Sequence, residues 1–229
     1  MLDKGVERRG PPKRAGVVSR TLTAIGQSIL PVLFLLASLA AAWFARAEPA
    51  TDFRFLQQFH PSLDPAEGDW LNWGVLLLPA CFFVLNLTSR RYGPARAFGS
   101  VVCASVMIGG GIYWAMSQGV IVSFEREIAP VRLACIFAGA LIVGQIICIW
   151  LFDRLRGIPW WEAPLVSALM GGLGFTLIFH AGASGEWSEA AWPRLAVLGG
   201  VQLIWALGQL LPTAMLRRAI RPMPGFGGA

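Results

Sequence analysis

Apolar and polar positions alternate along this chain in long blocks rather than residue by residue. Six apolar runs stand out: Thr21 to Phe44, Leu71 to Ser89, Phe98 to Met116, Val131 to Phe152, Ala163 to His180 and Leu195 to Leu216. At about 1.5 Å rise per residue, runs of about 20 residues cover a hydrocarbon core of roughly 30 Å. The expected fold class is an all-α polytopic membrane protein with six transmembrane helices. The organisation that follows is a basic cytoplasmic tail over residues 1–20, a six-helix transmembrane domain over 21–216, and a flexible cytoplasmic tail over 217–229. The first tail is expected to be disordered, since it is polar and Gly10-Pro11-Pro12 prevents a regular helix. Pro31 is a candidate kink in the first span. Ala45-Arg46-Ala47 has the small-x-small form of a signal cleavage site. The apolar run before it exceeds the usual length of about 7–15 residues, so an uncleaved span is expected.

Composition agrees with the blocks. Hydrophobic residues make up 55% of the 229 positions and charged residues only 14%, against about 25% charged in a soluble domain. A net charge of +6 raises the question of nucleic acid, but the cations lie in short clusters between apolar runs. That is a topology signal, and no nucleic-acid partner is expected. Segments assigned to the cytoplasmic side hold Lys4, Arg8, Arg9, Lys13, Arg14, Arg20, Arg90, Arg91, Arg96, Arg154, Arg156, Arg217, Arg218 and Arg221, which is 14 of the 19 cations. Arg46, Arg54, Arg126, Arg132 and Arg194 fall on the other side. This bias places both termini in the cytoplasm. The outside loops carry acids instead, with Asp52, Asp64, Glu67 and Asp69 in the first, Glu125 and Glu127 in the second, and Glu186 and Glu189 in the third. In the first loop, FRFLQQFHPSL is expected to lie as a short amphipathic piece on the membrane face.

Little in the chain suggests catalysis or a cofactor. Cys81, Cys103, Cys135 and Cys148 all sit inside apolar runs without a C-x-x-C pair, and are read as small packing residues. His60 and His180 lack carboxylate neighbours at ligand spacing, so no metal is expected. Neither a P-loop nor a hydrolase motif occurs, and no cofactor is implied. The chain is read as no enzyme.

The informative positions are polar residues inside the spans, which cost free energy in hydrocarbon unless paired or facing a cavity. They are Asn86, Thr88, Gln145, Thr176, Gln202 and Gln209, with Arg132 near a span end. For Gln145, Thr176 and Gln209, an interhelical hydrogen bond stands beside a binding role. Asn86 and Thr88 lie close to the basic turn Arg90-Arg91, near the cytoplasmic mouth. Together they offer donors and acceptors suited to a flat, polar, uncharged heterocycle. Arg132 either snorkels to the surface or projects into an outer vestibule. Most tryptophans sit at span ends, as an aromatic belt does, while Trp73 and Trp114 are candidates for stacking on a ligand. Gly109-Gly110-Gly111 in the third span is expected to permit close helix contact or local unwinding. The substrate-binding set is therefore Trp73, Asn86, Thr88, Arg132, Gln145, Thr176 and Gln202. No carboxylate lies within a span, which argues for facilitated movement or for coupling through a group the sequence does not place.

Several of these residues follow a family pattern. Trp73-Gly74, Pro79, Leu87-Thr88, Arg90 and Gly93 form one part. Arg132, Gly144-Gln145 and Phe152-Asp153-Arg154-Leu155-Arg156 form a second. Trp160-Trp161, Ala163-Pro164, Ser167, Gly171 and Thr176 form a third. In that order and spacing the chain resembles the VUT family of vitamin uptake transporters, whose best-understood members import the cyano- and aminomethyl-deazaguanine precursors of queuosine. The resemblance spans about Asn72 to Leu216. It implies an inner-membrane transporter in a bacterial cell, with a small planar nitrogenous substrate, a queuosine precursor first. It leaves oligomeric state open. The chain departs from the pattern at Asn86, where the family has an acid, at Gly172, Gly174 and Phe175, where it has an Asn and an Asp, and at Gln202, where it has a Lys. These losses motivate an alternative, a non-transporting scaffold or subunit of the same fold.

Overall fold

The computed structural model describes residues 17–48, 50–65, 70–118, 128–157, 159–184 and 191–220. The basic tail up to residue 16, Glu67, Asp69, Glu125, Arg126, Glu127, Glu186, Trp187, Glu189 and the tail from Arg221 lie outside the described residues. Eight α-helices follow in order: α1 (Val17–Ala45), α2 (Trp73–Leu77), α3 (Ala80–Tyr92), α4 (Pro94–Ser117), α5 (Ile128–Arg154), α6 (Glu162–Ser184), α7 (Ala191–Gly208) and α8 (Leu210–Leu216). Among the described residues, six stretches are long and apolar enough to cross a membrane: Gly26–Ala45, Trp73–Tyr92, Pro94–Trp114, Arg132–Arg154, Glu162–Ala183 and Ala191–Leu216. The second stretch is α2 with α3, and the sixth is α7 with α8. The chain is a multi-pass membrane protein.

The two broken spans have proline causes. Pro79 has no N–H for the carbonyl of Val75, one turn earlier, and Pro212 has none for Gly208. The helix restarts at Ala80 and at Leu210 respectively. At the first break the Trp205 indole N–H donates to the carbonyl of Leu76. A backbone acceptor near the break is thus satisfied by α7, as hydrocarbon requires. Pro31, by contrast, lies inside an unbroken α1.

Packing centres on α5 and α6, which share the most extensive interface of the bundle. Two glycines explain it. A Cβ on Gly144 would stand 2.6 Å from the Gly171 carbonyl, and one on Gly171 would stand 2.7 Å from the Gly144 carbonyl. The backbones cross at a distance that no larger residue allows. Around that crossing lie Phe82, Leu85, Cys148 and Phe175, with Leu35 and Val101 completing the core. Phe175 joins Phe137 and Phe179 in an aromatic trio with centroid separations of 5.4 to 5.8 Å. It therefore fills that level with hydrocarbon.

Four details differ from the sequence reading. Helix α1 begins at Val17, inside the stretch expected as a disordered tail. The third span begins at Pro94 rather than Phe98. Turns continue past Leu216 to Ile220, with Ala219 and Ile220 N–H groups on the Leu216 carbonyl. Gly109, Gly110 and Gly111 are exposed on a continuous helix with no heavy atom within 4 Å of their Cβ positions, so they neither unwind nor pack within this chain. The FRFLQQFHPSL segment forms 3-10 helix over Thr51–Gln58 and Pro61–Leu63. Phe55 and Phe59 are exposed, as expected of an amphipathic piece.

Candidate functional site

Arg90, Arg156 and Arg217, three of the cations expected in the cytoplasm, share one end of the bundle. Arg156 donates to the Ser89 carbonyl at 2.9 Å and pairs with Asp153 at 3.2 Å. Arg90 donates to the Ile220 carbonyl at 3.2 Å, and Arg217 lies over the Trp160 ring. Burial draws the Arg156 guanidinium down from its usual value and Asp153 opposes that shift. These contacts tie the ends of α3, α5 and α8 together. Trp73 and Arg132 lie toward the other end. Trp73 N–H donates to the Glu48 carbonyl, and its ring meets Phe53 edge-on. Arg132 is exposed and donates to the Gly182 carbonyl at 3.4 Å.

Between the ends, the polar residues form two layers. The first is centred on Asn86 of α3, which is 2% exposed. Its Nδ2 donates to the Pro164 carbonyl at 3.1 Å and to Gln209 Oε1 at 3.4 Å. Its Oδ1 accepts from Ser167 Oγ at 2.9 Å and from the Cys148 thiol at 3.4 Å. Gln209 Nε2 also donates to the Pro164 carbonyl, at 2.8 Å. A carbonyl can only accept, so the Pro164 contacts fix the orientation of both amides. Asn86 thus spends two donors and two lone pairs on groups from α5, α6 and the α7–α8 break. Thr88, two residues on and so turned to another face of α3, is buried and donates to the Val84 carbonyl of its own helix.

The second layer joins α6 and α7. Thr176 Oγ1 donates to the Gly172 carbonyl at 2.9 Å and accepts from Gln202 Nε2 at 3.4 Å. With its nitrogen committed, Gln202 turns its Oε1 toward Gly172, where a Cβ would stand only 2.1 Å away. That oxygen is buried and makes no hydrogen bond. Gln145 of α5 is likewise buried, and its Nε2 makes none. Its neighbour is the Cys81 thiol, a weak acceptor at the margin of a hydrogen bond. A buried polar atom without a partner costs about 1–3 kcal/mol, so these two call for an explanation.

The second layer borders a crevice lined by Pro79, Phe82, Ala168, Gln202, Trp205 and Gln209, too narrow to seat a water molecule. Phe82, 1% exposed, fills the space beside it. The structure therefore brings Asn86 and Gln209 together in one layer, places Thr176 with Gln202 in another, and leaves Gln145 beside the Cys81 thiol of α3. It separates Trp73 and Arg132 from all of these. Trp114 is exposed and away from the core.

Sequence reasoning passed over four contributors. Cys148 was read as packing alone, yet it donates to Asn86. Ser167 was quoted for its family position, not for a hydrogen bond; a serine in an apolar run was the available signal. Trp205 and Phe82 carry no polar signature that distinguishes them from ordinary core residues.

Over 117 residues, 48% of this chain, the sequence is 30% identical to a protein of Haemophilus influenzae named probable queuosine precursor transporter, of which it covers 50%. Over 117 residues, 47% of this chain, it is 33% identical to the queuosine precursor transporter of Escherichia coli K12, of which it covers 52%. The match spans about half the length of these curated relatives. No family model matches the chain, and no solved structure matches it. The resemblance read from the sequence motifs is borne out by these two relatives.

Proposed function

From its relatedness to queuosine precursor transporters, we propose that this chain carries a deazaguanine precursor of queuosine across the inner membrane of a bacterial cell. Both termini would face the cytoplasm, as the cation bias favours. The protein acts as a carrier, not as an enzyme, with the small molecule and the bilayer as its partners. The single observation behind this reading is the 117-residue similarity to two proteins of that name. It falls on a chain with six stretches fit to span a membrane.

The geometry supports passage through the α3–α5–α6–α7 interior. Polar groups there form two layers, and both helix breaks reach the crevice, through Pro79 and through Gln209. Breaks of this kind are where spans bend. Opening at the α7–α8 break would withdraw Gln209 from Asn86 and Pro164, freeing a donor and an acceptor for a passing heterocycle.

The test is uptake of a labelled cyano-deazaguanine, or appearance of queuosine in tRNA, in bacteria lacking their own importer and precursor synthesis. Rescue by the expressed chain is the expected result. No rescue from a protein shown to be in the membrane overturns the reading and leaves the scaffold alternative.

A further inference from the structure

Three guanidinium groups from three helix ends converge at the level where the spans stop. Arg90 lies in the last turn of α3, Arg156 two residues past α5, and Arg217 directly after α8. Arg156 donates to the carbonyl of Ser89, next in sequence to Arg90. Arg90 donates through Nε to the Ile220 carbonyl and feels the positive charge of Arg217. The Arg217 Cζ lies 5.1 Å from the centre of the Trp160 ring. All three arginines are half-buried, so salt and water screen their mutual repulsion less than at an open surface. Nearby acids do not balance them. Residues 86–96, 150–162 and 209–218 hold seven arginines against two acids, Asp153 and Glu162. Asp153 pairs with Arg156 at 3.2 Å.

Apolar surface adjoins this cluster. Leu211 and Met215 of α8 are 70% and 72% exposed. With Arg218, which is exposed as well, they follow one stripe at i, i+4 and i+7. Trp160 and Trp161 precede α6 at the same level, as aromatic side chains do at the headgroup region of a bilayer.

We propose that the Arg90–Arg156–Arg217 cluster binds the phosphate of an anionic phospholipid, whose acyl chains lie along Leu211 and Met215. Guanidinium groups hold phosphate through charge-assisted, often paired, hydrogen bonds. Basic pockets at the membrane face between spans take such headgroups. Position favours the lipid over a soluble phosphate, because the cations stand at span ends beside an apolar stripe that only acyl chains would cover. Charge favours phosphatidylglycerol over phosphatidylethanolamine, because the ammonium of the latter adds one more cation to the cluster. The bound phosphate offsets the repulsion between Arg90 and Arg217. It thereby holds the segment after α8 against the end of α3. None of this depends on which solute the protein carries.

The experiment is native mass spectrometry of the full chain in detergent, titrated with phosphatidylglycerol, phosphatidylethanolamine or inorganic phosphate, with the thermal unfolding midpoint measured in parallel. The expected result is tighter retention of phosphatidylglycerol than of phosphatidylethanolamine, and a midpoint raised by the former alone. Arg90→Gln and Arg217→Gln should each weaken phosphatidylglycerol binding about fivefold, the effect of one cation at a membrane surface. Arg54→Gln, at an exposed position toward the other end, should leave it unchanged. If Arg90→Gln does not fold, Arg217→Gln carries the test, since that side chain contacts a ring rather than a backbone carbonyl. Equal retention of the two lipids, or unchanged binding in Arg217→Gln, overturns the site. An equal rise in midpoint with inorganic phosphate assigns the cluster to a soluble anion and overturns the lipid.

Discussion

Asn86 has every hydrogen-bonding valence occupied by protein, whereas the buried Oε1 of Gln202 makes no hydrogen bond. Asn86→Ala strips partners from Ser167, Cys148 and Gln209 at once. At about 1 kcal/mol per lost bond, it should destabilise the protein by about 2–4 kcal/mol, measured as a lower thermal unfolding midpoint in detergent. Arg132 makes one long hydrogen bond at an exposed position. Arg132→Ala should change uptake by less than about twofold, in keeping with a snorkelling side chain. A larger drop at normal expression would return Arg132 to the translocation route. Gly172→Ala forces the Gln202 oxygen from its place. Uptake should fall several-fold while the protein still reaches the membrane, measured as transport per unit of blotted protein.

Individual helices explain why some motifs are glycine and proline rather than merely apolar. The Gly144–Gly171 contact sets the α5–α6 crossing. Gly171→Leu places a branched side chain against a carbonyl 2.7 Å away and against the Cys148 Cβ at 2.8 Å. Overpacking of this kind forces backbone shifts, and folded protein should be lost on fluorescence-detected size exclusion. Pro212 acts in the opposite sense. Pro212→Ala restores an N–H for the Gly208 carbonyl and should join α7 to α8 as one helix. The expected outcome is a raised unfolding midpoint with slower uptake, because the break that moves Gln209 away from Asn86 would stiffen. Faster or unchanged uptake would show that this break is not the moving part. The glycine run of α4 shows how far local pattern reaches: Gly109-Gly110-Gly111 has a helix-contact composition, yet it faces outward.

At the scale of the molecule, Arg90, Arg156 and Arg217 gather at one end through contacts among α3, α5 and the segment after α8. Arg132 and Arg194 sit at the other, where Arg194 donates to the Ser62 carbonyl at 2.8 Å. The alternation of charge along the chain thus becomes two faces of one bundle. The membrane sidedness of those faces is open to direct measurement. A single cysteine placed at Gln118 should react with a membrane-impermeant maleimide in intact cells, and one at Gly157 only after lysis. The reverse labelling would invert the topology. Much of this frame was legible beforehand, because a span must be apolar over its full length and cations mark its ends. The site was less legible. Gln145, Thr176 and Gln202 were recognisable as costly polar residues in hydrocarbon, but periodicity alone does not say which helices face each other.

The sequence by itself determined the class, the number of spans, the grouping of cations and the family resemblance. Each depends on composition and order along one dimension, where transfer free energy acts residue by residue. Only the tertiary structure decided that Asn86 is spent on Pro164, Ser167, Cys148 and Gln209, that Phe82 occupies the crevice wall, and that Gln202 leaves an oxygen over Gly172. A hydrogen bond between residues 62 to 123 positions apart leaves no local trace, because its geometry depends on how closely helices cross. That distance was set by two glycines whose meaning appears only when both carbonyls are in view.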